Sequence, residues 1–544
     1  MSYGNMPYPN DASPFVRSRT LPTEVLARIF SHPDLVQPRK QMSLQTSQPP
    51  WTLTYVCRRW RLIALNLPEI WSYIDVRGYG HFHASVRALS SNDERVLHLH
   101  GLLRTLVARS QDHPLTIRLG CTGWFDMTSL ETHMHYSEEL PMIFVNDFLQ
   151  AQFLSRLLMH HARWEDVLIN GFPGCGLLFC SHLGSPGIST VKFPALKKLE
   201  VRPQSGSAHD RLDELKHMLA RFQSNDITPN LQNVTLRLIF AAREDPQSLL
   251  NFAWRKVATL QLHDVADDKQ LLELFGSSQG PRSSLESLHV SFVDFNRSRR
   301  PYGGFRLDER VLLGTLTSLS IIVVDDDHRL LLHSLQLPSL QHLSFRCKGI
   351  NKDGSDAVSA LELTVRGSPH LTSLQLHFSM QSFPSTWTSY ERLLYSLNHL
   401  TSFDCGYISA ETLVRLGAVL MKQTSEGNHA PLVLPRLASL QFYYEDCTAA
   451  RKYIAKSRAG GIMEDAYHPG GLLLEIAEYR SGFGVGAGVG AGGESGFCLR
   501  EIRVGLCMSG DPCMGAVGHL ARYDALERRG FDLRKVEYSH KSCW

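Results

Sequence analysis

The chain of 544 residues carries 56 basic and 53 acidic side chains, for a formal net charge of +3. This near balance excludes a broad electrostatic attraction to nucleic acid or to an anionic membrane surface. Hydrophobic residues make up 43% and charged residues 20%, as in folded proteins. The length exceeds what one hydrophobic core usually holds, so several domains or an open repeat array is expected.

The start of the chain does not read as a targeting signal. Residues 1–18 lack the apolar core of a signal peptide, and no later stretch reaches a membrane span of about 20 apolar residues. We expect residues 1–18 to form a disordered tail. The 11 cysteines are scattered and odd in number, which favours reduced thiols. These features predict a protein of the cytoplasm, the nucleus or both, with neither membrane nor nucleic acid as a partner.

The first predicted helix begins near Pro22, a residue that suits the first helical turn. Glu24 follows where an acidic side chain complements the positive end of the helix dipole. Leu26, Ile29 and Phe30 then share one face at spacings of three and four residues. The pattern predicts an amphipathic helix whose apolar face needs a covering surface.

A second helical pattern follows Pro49 and Pro50. Its apolar positions fall on one stripe: Val56, Trp60, Ile63, Ala64 and Leu67. Pro68 predicts the end of this helix, and Trp71 closes the region. Helices this short bury too little surface to be stable alone, so the large side chains must pack on further protein.

The order of these motifs carries a resemblance to a known family. The patterns Leu-Pro-x-Glu-x-Leu-x-x-Ile-Phe, Val-Cys-Arg-Arg-Trp-Arg-x-Ile-Ala and Ile-Trp-x-x-Ile resemble the F-box, in particular the F-box-like form of mushroom-forming fungi (basidiomycetes). The resemblance implies an F-box-like domain over residues 19–74 that docks on the Skp adaptor of a cullin ubiquitin ligase. The residues it implies as adaptor contacts are Leu21, Pro22, Leu26, Ile29, Val56, Cys57 and Trp60.

Two points stay open in this region. The segment between the two halves of the F-box is usually shorter than the inserted loop expected here at residues 31–50, so the angle between the helices is not fixed. The alternative interpretation is that these helices only cap the structure that follows.

Downstream, one pattern recurs ten times: an apolar residue, two skipped residues, then an apolar-polar-apolar triplet. The copies begin at Leu196, Leu231, Val257, Leu285, Leu316, Leu340, Leu371, Leu400, Leu437 and Leu499. Weaker copies precede them at 72–76, 115–119 and 165–169. Each triplet predicts a short strand with buried ends and an outward middle position, which is the strand half of a leucine-rich repeat.

Helical patterns separate several copies, for instance over 212–222 and 413–420. The predicted fold class is therefore α/β: short N-terminal F-box helices followed, over 75–544, by an irregular leucine-rich-repeat-like solenoid in the form of a horseshoe. Most copies are spaced by roughly 24–37 residues and no asparagine ladder is present, so the array is expected to be irregular. Two ordinary α/β domains are the alternative. The glycine-rich segment 481–496 predicts a flexible loop.

Signatures of catalysis and cofactor binding are weak. A G-x-G-x-x-G match at 488–493 is nearly automatic in a glycine repeat, and Cys175, Cys180 and His182 fit no standard zinc spacing. We expect no metal, no cofactor and no enzymatic activity. A Ser-His-Asp arrangement stays open, since the members of a triad can be distant in sequence.

Together the resemblance and the repeats predict a non-catalytic substrate-recognition subunit of an SCF-type cullin ubiquitin ligase. It would dock on the Skp adaptor through the F-box and bind an unknown target protein through the solenoid. The alternative is a leucine-rich-repeat scaffold for protein interactions with no ligase role. The predicted target-binding residues are the middle positions of the triplets: Glu200, Thr235, Gln261, His289, Ser320, Ser344, Gln375, Asp404 and Gln441.

Overall fold

The computed structural model describes residues 21–32, 43–76, 94–120, 152–171, 191–203, 227–237, 254–265, 268–276, 284–292, 310–323, 329–347, 355–378, 383–408, 410–421, 433–444, 476–477, 480, 499–507 and 532–538. The chain divides into two compact units, residues 1–236 and 237–544. The predicted tail, the glycine-rich segment, the helical pattern at 212–222 and the Cys175, Cys180 and His182 group lie outside the described residues.

Four short helices open the N-terminal unit: α1 (Thr23–Phe30), α2 (Leu53–Val56), α3 (Arg58–Leu65) and α4 (Pro68–Trp71). The single helix that the apolar stripe predicts from Val56 to Leu67 is wrong. Cys57 has extended backbone dihedrals and separates α2 from α3, with its sulfur accepting a hydrogen bond from the Trp60 amide. An apolar spacing that continues through one extended residue cannot reveal such a break.

The strands of the N-terminal unit are β1 (Tyr73–Asp75), β2 (Leu115–Gly120), β3 (Trp164–Gly171), β4 (Lys198–Pro203) and β5 (Asn233–Arg237). They pair in parallel and in chain order. Helix α5 (Glu94–Arg109) connects β1 to β2, and residues 152–158 form a helical stretch before β3. Parallel neighbours require such crossover connections, because each strand must return to the same end of the sheet.

Nine parallel strands in chain order form the main sheet of the C-terminal unit: β6 (Thr259–Val265), β7 (Ser287–Phe292), β9 (Ser318–Val323), β11 (His342–Cys347), β12 (Ser373–Phe378), β13 (Ser402–Ile408), β14 (Ser439–Tyr444), β15 (Glu501–Cys507) and β16 (Asp532–Tyr538). The two-residue strands β8 (Val311–Leu312) and β10 (Leu335–Gln336) pair separately.

Helices alternate with these strands: α6 (Asp268–Gly276), α7 (Arg329–Ser334), α8 (Ser355–Arg366), α9 (Phe383–Tyr395) and α10 (Ala410–Leu420). Successive helices pack on one another. The α/β class and the parallel strands in chain order are therefore confirmed within each unit. All ten predicted triplets lie in strands, as do the weaker copies at 115–119 and 165–169, and β1 covers the middle of the copy at 72–76.

The core follows the period of two that the triplets predict. In β7, Leu288, Val290 and Phe292 are buried while the residues between them are partly accessible. The same alternation recurs in β9 and β12. One face of each strand thus packs into the core between sheet and helices, and the other carries polar side chains. Among the described helices, none is long and apolar enough to cross a bilayer.

Three histidines with lowered pKa values predict a pH-dependent stability. Burial is the largest cause of the lowered pKa of His100, His160 and His289. The unfolded chain then binds more protons than the folded one between the ordinary value of 6.5 and the lower folded value. The free energy of unfolding should be constant just above pH 7 and fall as the pH drops through this window.

Denaturant titrations at successive pH values would measure this effect. His100→Asn should reduce the fall, because it removes one buried titrating group. A free energy of unfolding that rises on acidification would contradict the assignment.

Candidate functional site

Helices α1 and α3 hold each other through aromatic packing and hydrogen bonds. The rings of Phe30 and Trp60 meet edge to face with centroids 4.9 Å apart. Arg59 Nη2 donates to the carbonyl oxygen of Leu21 at 2.5 Å. These contacts fix the start of α1 against α3, so the outward side chains of both helices have defined positions.

A cluster around Trp71 joins the four helices to α5. The Trp71 ring is fully buried, its Nε1 donates to the carbonyl oxygen of Ala64 at 2.7 Å, and it packs edge to face on Trp51 at 5.2 Å. The Arg109 guanidinium lies 4.4 Å from the Trp71 ring and 5.2 Å from the Trp51 ring. This cation–π arrangement ties the last turn of α5 to the helices at the start of the chain.

Part of the predicted inserted loop is not free. Within residues 31–50, Ser43 and Leu44 are buried. The Ser43 hydroxyl accepts from the Asp75 amide at 2.7 Å and donates to the Tyr73 carbonyl at 3.0 Å. The Trp51 indole donates to the Ser43 carbonyl at 2.8 Å. The segment around Ser43 therefore lies against β1 and is joined to that strand through direct hydrogen bonds.

Helices α1 to α3 also carry a concentration of exposed apolar side chains, here called the helical tip. Its members are 39% to 62% exposed: Val25, Ile29, Tyr55, Val56 and Leu62. Only four other large apolar side chains of the described residues are as exposed, and they are scattered. Exposed apolar side chains concentrated on one small set of helices are typical of a protein–protein contact surface.

The structure places the seven predicted adaptor contacts differently. Pro22, Ile29, Val56 and Cys57 are exposed, and Leu21 and Trp60 are half-buried. Leu26 is 1% exposed, because it shares the inward face of α1 with Phe30. Its role as a direct adaptor contact stays a prediction.

Sequence reasoning did not find Val25, Tyr55 and Leu62 as members of the tip. Val25 lies four residues before Ile29, a spacing that places both on one face of a helix and could have revealed it. Leu62 is off the predicted stripe, and the orientation of Tyr55 depends on the break at Cys57.

The nine predicted target-binding positions fall into registered rows. In the N-terminal unit Glu200 lies opposite Thr235. In the C-terminal unit seven positions are partners on successive strands: Gln261, His289, Ser320, Ser344, Gln375, Asp404 and Gln441. The prediction that the middle positions line up across strands is therefore confirmed within each unit.

Three of the nine positions are not outward as predicted, since Glu200, Thr235 and Asp404 are buried. Glu200 is ion-paired with Arg202, two residues along the same strand. The other six are exposed or half-buried.

Asp404 owes its burial to a bulge in β13. Its Oδ1 accepts from the Gly406 amide at 2.9 Å, and its Oδ2 lies 3.2 Å from His377 Nε2. The pairing register of β13 shifts after Asp404, and Gly406 has φ of +65°. The carboxylate is thus held by its own sheet rather than offered to a ligand.

The described residues also include potential metal ligands and nucleophiles. No group of three or more His, Cys, Asp or Glu side chains in the described part of the chain could hold a metal ion. Behind Asp404, burial raises the pKa of the Cys405 thiol and of the Tyr390 hydroxyl well above their ordinary values. Both groups therefore stay protonated near neutral pH, and Cys405 is not an activated thiolate nucleophile.

Comparison with known proteins gives only distant likenesses. No protein-family model and no curated protein sequence matches the chain. Among solved structures, a Bacteroides fragilis protein from the Northeast Structural Genomics Consortium is similar at 14% identity and a TM-score of 0.29, covering 48% of this chain and 72% of its own. A chain of the Rad7 and Elc1 complex in yeast is similar at 12% identity and a TM-score of 0.26, covering 73% of this chain and 96% of its own. At these values the similarities have no bearing on function.

Proposed function

We propose that the chain is a substrate-recognition subunit of an SCF-type cullin ubiquitin ligase, with the helical tip as its docking surface for a Skp adaptor. The observation that carries the proposal is the exposure of Val25, Ile29, Tyr55, Val56 and Leu62 on three helices whose inward faces are already packed. The F-box-like order of motifs over residues 19–74 supports the identity of the partner.

The energetics of docking are compatible with a modest affinity. Covering the exposed part of each tip side chain supplies on the order of 1 kcal/mol, and association costs several kcal/mol. The half-buried Trp60 lies in α3 and the half-buried Leu21 lies two residues before α1, so both would add contact area at the edge. We therefore expect the adaptor to cover these residues as well.

In this proposal the chain performs no chemistry. The polar face of the C-terminal sheet holds a target protein while the tip is bound to the ligase. A ubiquitin-conjugating enzyme carried by the ligase then meets target lysines at a raised effective concentration.

One observation favours a second function, a protein-interaction scaffold with no ligase role. Ser43 hydrogen-bonds β1, and Trp71 and Trp51 pack with Arg109, so the helices also close the first strand of the sheet. A cap with this single role would not need an exposed apolar surface.

Co-purification with a Skp adaptor tests the proposal. Ile29→Asp should reduce adaptor capture at least about tenfold, since it places a charge in an apolar contact, and should not change the unfolding midpoint because the side chain is exposed. Leu97→Asp is the matched control, because Leu97 is 57% exposed on α5 outside the tip. A substitution at the buried Leu26 would unfold α1 and test nothing.

Undiminished capture by Ile29→Asp would show that the tip is not the docking surface. If the unaltered chain captures no adaptor, the scaffold function is favoured.

A further inference from the structure

Four consecutive strands of the C-terminal unit, β7, β9, β11 and β12, present a regular array of side chains on one face. Three registered rows cross these strands. The rows are Ser287, Ser318, His342 and Ser373; His289, Ser320, Ser344 and Gln375; and Ser291, Ile322, Arg346 and His377. These twelve residues are called the donor grid below.

The donor grid is accessible. Each of its members is half-buried or exposed, and His342 and Arg346 are the most open. The residues that alternate with them along the four strands, such as Leu343 and Phe345, are all buried. The grid is therefore the solvent face of the sheet and does no packing in the core.

The grid carries basic and neutral polar side chains but no acidic ones. The four strands contain no Asp or Glu, whereas the grid has six serines, three histidines, one arginine and one glutamine. The carboxylates of the two flanking strands are already engaged: Asp404 of β13 holds His377 and the Gly406 amide, and Asp264 of β6 is ion-paired with Arg237 of the same unit. Within the grid, His289 Nδ1 lies 2.9 Å from the Ser320 hydroxyl oxygen, and His377 is held by Asp404. The positive charge left to face solvent is that of Arg346.

Arg346 is the fixed charge of this surface. Its side chain is exposed, and no carboxylate of the described residues is ion-paired with it. Its charge reaches His289 two strands away, where it adds to burial and to the neighbouring His263 in lowering the pKa of that imidazole. The field over the centre of the grid is thus positive.

We infer that the donor grid binds an acidic segment of the target protein, an extended stretch with Asp or Glu at alternate positions. The inference rests on the proposed function for its biological setting, because the target is the protein that the ligase would modify. An anionic partner supplies the negative charge that the four strands lack.

The layout of the grid favours several carboxylates over one phosphate group. Phosphate recognition gathers several donors on one group, whereas the imidazoles and the guanidinium here stand on different strands. Strands lie about 4.8 Å apart and same-face residues about 6.6 Å apart, so the grid covers roughly 13 by 14 Å. Alternate side chains of an extended peptide repeat at the same 6.6 Å or so and would meet successive donors.

Fluorescence anisotropy of the full chain with short labelled peptides tests the inference. A peptide of alternating Glu and Ser should bind at least about tenfold tighter than its Gln and Ser counterpart at low salt. Arg346→Gln should weaken binding of the acidic peptide about fivefold. Arg366→Gln is the matched control, because it removes the same charge from α8, where Arg366 pairs with Glu362.

Equal binding of the acidic and neutral peptides, or equal effects of the two arginine substitutions, would overturn the inference. So would a phosphoserine peptide that binds at least about tenfold tighter than the Glu peptide, since the site would then be selective for phosphate.

Adaptor capture by the same preparations separates the two proposals. Arg346→Gln should capture adaptor normally. Adaptor capture without acidic-peptide binding would contradict only the inference about the grid. Acidic-peptide binding without adaptor capture would contradict only the ligase role.

Discussion

Trp71→Ala should lower the free energy of unfolding of the N-terminal unit by about 3–5 kcal/mol, the range found when a large buried aromatic side chain is removed. The ring is completely buried, and its loss leaves a cavity beside Trp51. It also leaves the Ala64 carbonyl without its indole donor. Each of these effects lowers the free energy of unfolding.

Arg109 makes the substitution more costly than the lost volume alone. Burial lowers the pKa of this arginine, which shows that its guanidinium is partly desolvated, and the Trp71 ring face lies only 4.4 Å from it. Without the ring, a positive charge would stay in a poorly hydrated place with less compensation. The last turn of α5 should therefore loosen together with the helices at the start of the chain.

Hydrogen exchange read by mass spectrometry would localise this effect. Amides of β1 and β2 should lose protection in Trp71→Ala, because the helices that close β1 depend on the cluster. Met159→Ala is the control: its side chain is 80% exposed, and its removal should change the free energy of unfolding by less than about 0.5 kcal/mol. Similar protection in both variants would show that the Trp71 cluster does not hold the region together.

This result also separates two roles in the same region. Trp71 holds the helices in place, whereas Ile29 is 42% exposed on their outer surface. A variant at Trp71 loses adaptor capture through unfolding, and a variant at Ile29 loses it while folded. Only the second outcome supports docking.

The strands were predictable because their signal is local. A triplet such as Leu343, Ser344 and Phe345 shows within three residues which side chains point inward, and the residue two or three positions before it marks the start. The strands that were not predicted lack this signal. β8 and β10 have two residues each, and β16 places Arg534 and Lys535 side by side, which interrupts the alternation.

The burial of polar side chains was not predictable, because it depends on partners distant in sequence. Asp404 has the same pattern position as Gln375, yet it is buried, since a bulge in its own strand and His377 of the neighbouring strand supply its donors. Leu26 and Ile29 likewise belong to one predicted apolar face. Only the position of α3 decides that the first is covered and the second is not.

The donor grid was likewise predictable only in part. Each of its residues is visible in the sequence as a polar position between apolar ones, but their common chemistry appears only when the register places Arg346 beside His377 and Ser344 beside Ser320. The absence of acidic residues is a property of four strands that are spread over roughly 90 residues of the chain.

Gly120→Ala should destabilise the N-terminal unit by on the order of 3 kcal/mol or more, because both the backbone conformation and a neighbouring strand oppose an added side chain. Gly120 has φ of +131°, a conformation that residues with a side chain rarely adopt. A Cβ there would overlap the carbonyl oxygen of Asn170 and lie 2.6 Å from its carbonyl carbon. These are backbone atoms of the paired strand β3, so relief requires β2 and β3 to separate at this end.

Gly101→Ala provides the matched control, with the same added methyl group in the same unit. Gly101 lies in α5, and nothing stands within 4 Å of the position its Cβ would take. Alanine is favoured over glycine in a helix by about 0.5–1 kcal/mol, so this variant should be more stable than the unaltered chain. Denaturant midpoints followed by circular dichroism should therefore move in opposite directions. If both variants move the midpoint the same way, neither the positive φ of Gly120 nor its close approach to Asn170 of β3 is correct.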